Sequence, residues 1–384
     1  MTASGAATGH SSSAWLPIVF LGVGAGCISG LQPLLLDLLR QAGKLDVAAM
    51  GLAATGEAAG MALAVTVAAL CLPLQRLRLW ALLALSAMML ANAGTTLASG
   101  ATIVALRFLN GVGAGLLLWI LVGMLSRSAA PARLFAIYVT AQSILALALS
   151  QAITGLVAPA FGHAGAYGLL LALNALMLLA VPAMTNGFGA AAAGERGLPA
   201  ARALIVLLAM TAFLAGITSL WVYLLPVLAE GGFAPGTAAS AVSVGLAAQI
   251  AGGLLAVLLA PRIGARLAWM AGIAVALAAI AMMSGGGSTV MMMAGAALFG
   301  FVWIFVPPFQ MPAVLAVDPT GRGAMLVGTA QLSGTVIGPL VATPVVAGLG
   351  IGTVWYLSAA WLCLSLLLLV AANYHKTSQE RILP

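Results

Sequence analysis

Charge is what this chain has least of. Of its 384 residues only 5% are charged, and only seven are acidic. A water-soluble domain carries about 25% charged residues, so water is excluded as the main solvent. Cysteine and histidine are equally scarce, with three each. Cys27, Cys71 and Cys363 all fall inside apolar runs and show no metal-ligand spacing, so neither a disulfide framework nor a metal site is expected. The polar stretch up to Ser13 has no Lys or Arg. That lacks the basic start of a cleaved signal peptide, and the first apolar run is expected to be retained. No Lys-Ser or Lys-Thr follows the glycine cluster Gly111, Gly113 and Gly115, which excludes a phosphate loop. No cofactor is expected. The net charge of +7 does not call for nucleic acid, because the basic residues sit singly in short connections. Membrane orientation accounts for them better.

What the chain does have is apolar length. Hydrophobic residues make up 63% of it, and the mean hydropathy is +1.18. Its 46 glycines and 17 prolines lie within long apolar runs, as they do in membrane helices whose neighbours resatisfy the backbone. A span needs about 20 apolar residues. Charges, prolines and Gly/Ser clusters divide the chain into twelve of them. The first six cover 15–37, 47–71, 79–98, 101–125, 134–159 and 166–184; the second six cover 202–227, 237–259, 267–284, 289–315, 322–347 and 351–373. The expected fold class is therefore an all-α membrane protein of twelve transmembrane helices. Residues 1–184 form one six-helix bundle, 185–201 a cytoplasmic linker, and 202–384 a second bundle.

The loop charges test this count. With loops alternating from the inside, the inner segments hold Arg76, Arg78, Arg127, Arg133, Arg196, Arg202, Arg262, Arg266, Arg322, Lys376 and Arg381, while the outer ones hold Arg40 and Lys44. The bias of basic residues to one side places both termini in the cytoplasm. An inner membrane of the cell is the expected location, and a monomer the expected state.

A duplicated six-helix unit should leave matches at a near-constant offset. Glu57-Ala-Ala-Gly-Met-Ala-Leu-Ala-Val recurs as Gln249-Ile-Ala-Gly-Gly-Leu-Leu-Ala-Val, and Thr140-Ala-Gln142 as Thr329-Ala-Gln331. Arg133 precedes the first Thr-Ala-Gln by the same interval that Arg322 precedes the second, and Ile28 and Leu31 match Ile217 and Leu220.

Twelve spans, a central loop and a parallel repeat resemble the major facilitator superfamily over nearly the whole chain. The most specific match is in span 4, Ile103-Val-Ala-Leu-Arg107-Phe-Leu-Asn110-Gly111-Val-Gly113-Ala-Gly115. It is similar to that family's helix-4 motif, whose arginine is associated with proton coupling, often in antiporters. Pro261-Arg262-Ile263-Gly264-Ala265-Arg266 resembles the family's signature after helix 8, with Pro261 in place of the usual aspartate. The counterpart Pro73-Leu-Gln-Arg76-Leu-Arg78 also lacks the aspartate. The antiporter glycine–proline motif is poor in span 5, at Gly155-Leu-Val-Ala158-Pro159, and closer in span 11, at Gly334-Thr-Val-Ile-Gly338-Pro339.

Ionisable groups inside a bilayer cost about 2.5–3.5 kcal/mol on insertion scales, so each needs a reason. Glu57 in span 2 and Arg107 in span 4 lie at depths differing by roughly one helical turn. The functional expectation is that Glu57 binds a coupling proton and Arg107 tunes it, since burial and a nearby cation act on a carboxylate in opposite directions. The alternative is a static pair that locks the first bundle. Candidate substrate contacts are Gln32, Asn110, Gln142, Trp221, Tyr223, Gln249, Trp303, Gln310 and Gln331. They lie on helices that line the cavity in the family the chain resembles. For the amides the alternative is helix–helix hydrogen bonding. Pro307-Pro308 and Pro312 are expected to bend span 10. Asp37 and Glu230 read as end charges at the outer mouth, Asp318 as a cap on helix 11 or a partner of a cytoplasmic arginine, and His163 as a surface residue.

These features point to a secondary transporter for a small organic molecule, proton-coupled, with efflux slightly favoured over uptake. A polytopic membrane enzyme is the alternative from another class, but no clustered nucleophile, acid/base or metal set supports it. A sensor of transporter fold is a third.

Overall fold

The computed structural model describes residues 15–73, 75–125, 131–187, 199–285, 287–318, 320 and 322–380. Its long elements are all helical. α1 (Trp15–Gly26) and α2 (Ile28–Gln41) form span 1; α3 (Val47–Cys71), α4 (Leu77–Leu97) and α5 (Ala101–Leu125) form spans 2 to 4. α6 (Pro131–Ala152) and α7 (Ala158–Leu178) are spans 5 and 6. α8 (Ala201–Val222) and α9 (Leu224–Glu230) form span 7, followed by α10 (Pro235–Leu259) and α11 (Ala265–Ser284). α12 (Thr289–Phe305) and α13 (Pro307–Leu315) form span 10, and α14 (Val327–Leu349) and α15 (Thr353–Glu380) are the last two.

Among the described residues eleven stretches are long and apolar enough to cross a membrane. One of them, the 47 residues Ile137–Ala183, holds two spans. The chain turns between them at Gly162, whose φ of 58° few other residues tolerate. Most of the expected linker, residues 188–198, and with it Arg196, lies outside the described residues, as do His10, Arg127 and Arg381.

Three spans are broken, each by or close to a proline. Proline lacks an N–H, and its ring crowds the carbonyl four residues back. In span 7 that carbonyl belongs to Val222, the residue at which α8 ends, four before Pro226. Pro307 and Pro308 break span 10 at Val306, as expected from sequence. Span 1 is interrupted at Cys27, six residues before Pro33. Span 5 takes another route. Ile153–Val157 forms a π-helical turn just before Pro159, so the poor glycine–proline motif becomes a shifted hydrogen-bond ladder rather than a break.

The internal repeat is visible as packing. Gly60 of α3 lies so close to the Phe108 carbonyl of α5 that a Cβ there would collide with it. Gly252 of α10 meets the Phe301 carbonyl of α12 in the same way. Gly252 stands 192 residues after Gly60 (252 − 60), the offset that relates Gln249 to Glu57. The two tight crossings, α3 on α5 and α10 on α12, are thus one design used twice.

The bundles meet through α3 on α14 and α6 on α10, with α2 also touching α8, α9 and α10. At the end bearing Lys44, the apolar core of the first bundle (Ile28 to Leu45, Met50, Ile103, Ile153 and Tyr167) is continuous with that of the second bundle. At the opposite end the first bundle has a separate core around Leu21, Leu85, Leu117 and Met177. Hence the bundles share one core at the Lys44 end only. Gly51 of α3 makes the seal there: it has no Cβ, and the Tyr223 hydroxyl and Thr343 occupy the space one would need.

Candidate functional site

Between the two core clusters of the first bundle lies a buried polar layer. Glu57, on α3, is 2% exposed, and Arg107, on α5, is 1% exposed. Their charged ends face each other, with Arg107 Nη1 3.6 Å from Glu57 Oε1. That separation makes an ion pair without a direct hydrogen bond. The carboxylate accepts instead from Asn110 Nδ2 at 2.6 Å and from Gln32 Nε2 at 3.2 Å. Arg107 is anchored from the other side. Its Nη2 donates to Asn92 Oδ1 and Thr95 Oγ1 of α4, both at 2.9 Å. Its Cζ lies 4.8 Å from the ring centroid of Tyr167, on α7, within range of a cation–π contact.

The local reasons are plain. Gly111 permits α5 to run against the Glu57 backbone carbonyl, where any Cβ would clash. This approach brings Asn110, the adjoining residue, onto the carboxylate. Asn92 and Thr95 stand three residues apart, so both face α5 from one side of α4. Five helices, α2, α3, α4, α5 and α7, thus converge on one carboxylate–guanidinium pair. Both charges are compensated by polar contacts, as buried charges must be.

The other sequence candidates do not join this layer but form separate pairs. Gln249 of α10 accepts from Ser143 of α6 at 3.1 Å, across the boundary between bundles. Ser150 and Ser243 bond at 3.0 Å further along the same two helices. Gln331 donates to Gln310 at 2.9 Å within the second bundle. Trp221 and Trp303 stack edge-on with centroids 5.2 Å apart. Tyr223 Oη lies 3.3 Å from Thr343 Oγ1 in the seal. Gln142 sits half-buried, and its amide fills the space beside Gly26 of α1. Trp221, Tyr223, Gln249 and Gln310 are at most 3% exposed, so in this conformation they are closed in.

Three sequence expectations change. Asp37 is not a solvated end charge: it is 3% exposed and accepts from Arg40 Nε at 2.7 Å and Gln41 Nε2 at 2.6 Å, because span 1 stays helical through Gln41. Asp318 does not cap a helix. Its carboxylate gathers the Thr320 hydroxyl, the Thr320 and Gly323 N–H groups and the Ala200 N–H, tying the loop after span 10 to the start of span 7. These donors hold it below the usual carboxylate range, the Thr320 hydroxyl most strongly. His163 is half-buried, with Nε2 3.4 Å from the Thr96 carbonyl. Sequence reasoning also passed over Asn92, Thr95 and Tyr167. Asn92-x-x-Thr95, two polar residues at helical spacing in an apolar span, was the available signal. Among the described residues no group of His, Cys, Asp and Glu is placed to hold a metal ion.

No protein-family model matches the sequence, and no curated protein does. Solved structures do match. A nucleoside transporter, NupG, superimposes with a TM-score of 0.71 at 15% identity, over 94% of this chain and 99% of that one. A D-xylose-proton symporter superimposes with a TM-score of 0.72 at 11% identity, over 94% and 96%. Likeness at such low identity is a likeness of fold. This chain therefore shares the all-helical, two-bundle fold of these two structures.

Proposed function

We propose that this protein is a secondary active transporter, moving a small organic molecule across the cell's inner membrane by alternating access, driven by protons. One observation carries the reading. A single carboxylate, Glu57, is buried between two amide donors and an arginine that is itself held by three other groups. Protonating Glu57 removes its attraction for Arg107 and weakens its hold on Gln32 and Asn110. Charge-assisted hydrogen bonds are about twice as strong as neutral ones, so α2 and α5 are released together. Arg107 keeps Asn92, Thr95 and Tyr167, so its charge is not left bare when the proton arrives.

The shared core at the Lys44 end corresponds to a carrier closed on one side. The loop charges support reading that side as the outside and both termini as cytoplasmic, and on that reading this conformation is the inward-facing half of the cycle. The transporting unit is taken as a monomer, and a slight preference for export over uptake follows the resemblance of span 4. The second bundle offers amides and aromatics and no charge opposite Glu57, which suits an amphipathic, aromatic or weakly charged cargo. Gln32, Asn110, Gln142, Trp221, Tyr223, Gln249, Trp303, Gln310 and Gln331 remain its proposed contacts, reached as the seal opens.

The test is transport in proteoliposomes under an imposed pH gradient, with a compound panel headed by nucleosides and pentoses, the cargo classes named for the two similar structures. Glu57→Gln is expected to lose uphill movement and to keep downhill exchange. Normal uphill movement by that variant would overturn the coupling role.

A further inference from the structure

A second charged site lies apart from the transport layer, at the end of the molecule opposite Lys44. A cavity of about 520 Å³ is lined by Arg202, Gly264, Ala265, Arg266, Leu267, Ala313, Ala316 and Val317. It is formed by the start of α8, the start of α11 and the end of α13. Two of the lining side chains are guanidiniums, and none is a carboxylate. Arg202 and Arg266 are close enough for their charges to act on each other. Neither charge has an evident role in the proton step.

Two features of the cavity favour an anion. The first is this pair of like charges in one pocket. The second is the opening turn of α11. It begins after Gly264 with no side chain capping it, so its first N–H groups point out of the helix beside Arg266.

The rim tells which kind of anion. In the lining Leu267 is 67% exposed and Ala313 fully buried, and Leu315, next in sequence to the lining residue Ala316, is 40% exposed. A cationic recess beside exposed apolar side chains, at the level where a span begins, matches an amphiphile with a phosphate at one end and acyl chains at the other. Basic pockets between helices at a membrane surface bind such headgroups. We propose that this pocket seats the phosphate of an anionic phospholipid, bridging spans 7, 9 and 10 of the second bundle.

The phosphate chemistry would also admit a free anion, so the experiment separates the two. Thermal unfolding of the detergent-solubilised protein is followed while dioctanoyl-phosphatidylglycerol, dioctanoyl-phosphatidylcholine or inorganic phosphate is added. The anionic lipid is expected to raise the midpoint by several degrees, and the zwitterionic lipid to do little. Arg266→Gln should remove most of the rise and Arg202→Gln with Arg266→Gln all of it. Arg202 also donates to the Ala372 carbonyl, at 2.9 Å, so the single Arg266→Gln variant is the one that leaves that tie intact. Arg262→Gln, an exposed neighbour outside the lining, should respond as the unaltered protein does. Equal shifts from the two lipids, or a full response in Arg266→Gln, would overturn the site. A full response to inorganic phosphate alone, with nothing added by lipid, would overturn the lipid as occupant and assign the pocket to a soluble phosphate.

Discussion

The α3–α5 crossing of the first bundle and the α10–α12 crossing of the second are built alike and equipped differently. Each depends on a glycine, Gly60 or Gly252, pressed against a backbone carbonyl of its partner helix. Three residues before each glycine, the first bundle has Glu57 and the second Gln249. Glu57 turns inward to an arginine and two amides of its own bundle. Gln249 meets Ser143 of the other bundle. The scaffold is symmetric because close helix packing has few solutions. The chemistry is not, because an ionised group in the membrane is tolerated only where an opposite charge and polar partners meet it. One bundle is thus fitted to hold a charge, and the other to touch its neighbour.

The sharpest way to break this comparison is to remove one member of each pair. Arg107→Met leaves Glu57 buried without its cation, and breaking a buried ion pair this way costs about 3–5 kcal/mol. Gln249→Met costs about 0.5–1.5 kcal/mol, one neutral hydrogen bond, because Ser143 keeps the Val139 carbonyl as an acceptor. Thermal unfolding in detergent should therefore separate them clearly; equal losses would mean that the Glu57 pair is not the energetic centre of its bundle.

The shared scaffold makes the opposite forecast. Gly60→Ala and Gly252→Ala each drive a methyl group into a backbone carbonyl and should each destabilise by about 1–3 kcal/mol, the usual range for overpacking. A large loss at one and none at the other would sink the idea of a repeated crossing. Gly51→Val probes the contact between bundles rather than within them. Its side chain would collide with the Tyr223 hydroxyl and Thr343. The expected result is faster labelling of a cysteine placed at the buried Leu34, with little change in unfolding temperature.

A smaller effect sorts out the arginine's setting. The Tyr167 hydroxyl has no hydrogen-bond partner among the described residues, so Tyr167→Phe should be nearly silent. Tyr167→Leu removes the ring face and should cost about 1–2 kcal/mol. The smallest effect lies in the loop after span 10. The Asp318 carboxyl is held below its ordinary range, while an unfolded aspartate titrates near 3.9. Its clasp therefore contributes fully above about pH 4 and is lost as the pH falls through the lowered folded value. Amide exchange at Gly323 should speed up over that acid range, and Asp318→Asn should abolish the pH dependence.

Much of this architecture was legible without coordinates. Twelve spans, the broken span 10 and the duplicated unit came from hydropathy, prolines and offset matches. Some features were not. Asp37 looked like a loop charge because a helix end is hard to place within a few residues, and the helix runs on to Gln41. Gln32 read as a substrate contact, and only the packing revealed that it also donates to Glu57. Asn92 and Thr95 carried too little signal to be noticed, since one amide and one hydroxyl in an apolar span show no partner. A site of this kind depends on how five helices are rotated about their axes, and a period of 3.6 residues fixes a face only relative to its own helix.

The sequence by itself determined the solvent, the number of spans and the two charges that could not be buried without a reason. Solvation decides those matters, and the cost of burying a residue belongs to its type. Only the tertiary structure decided that Glu57 and Arg107 meet at 3.6 Å, that Asn92, Thr95 and Tyr167 hold the arginine from behind, and that the bundles share a core at one end alone. Those are matters of packing, set by glycines that let backbones approach and by helix rotations that no single segment encodes.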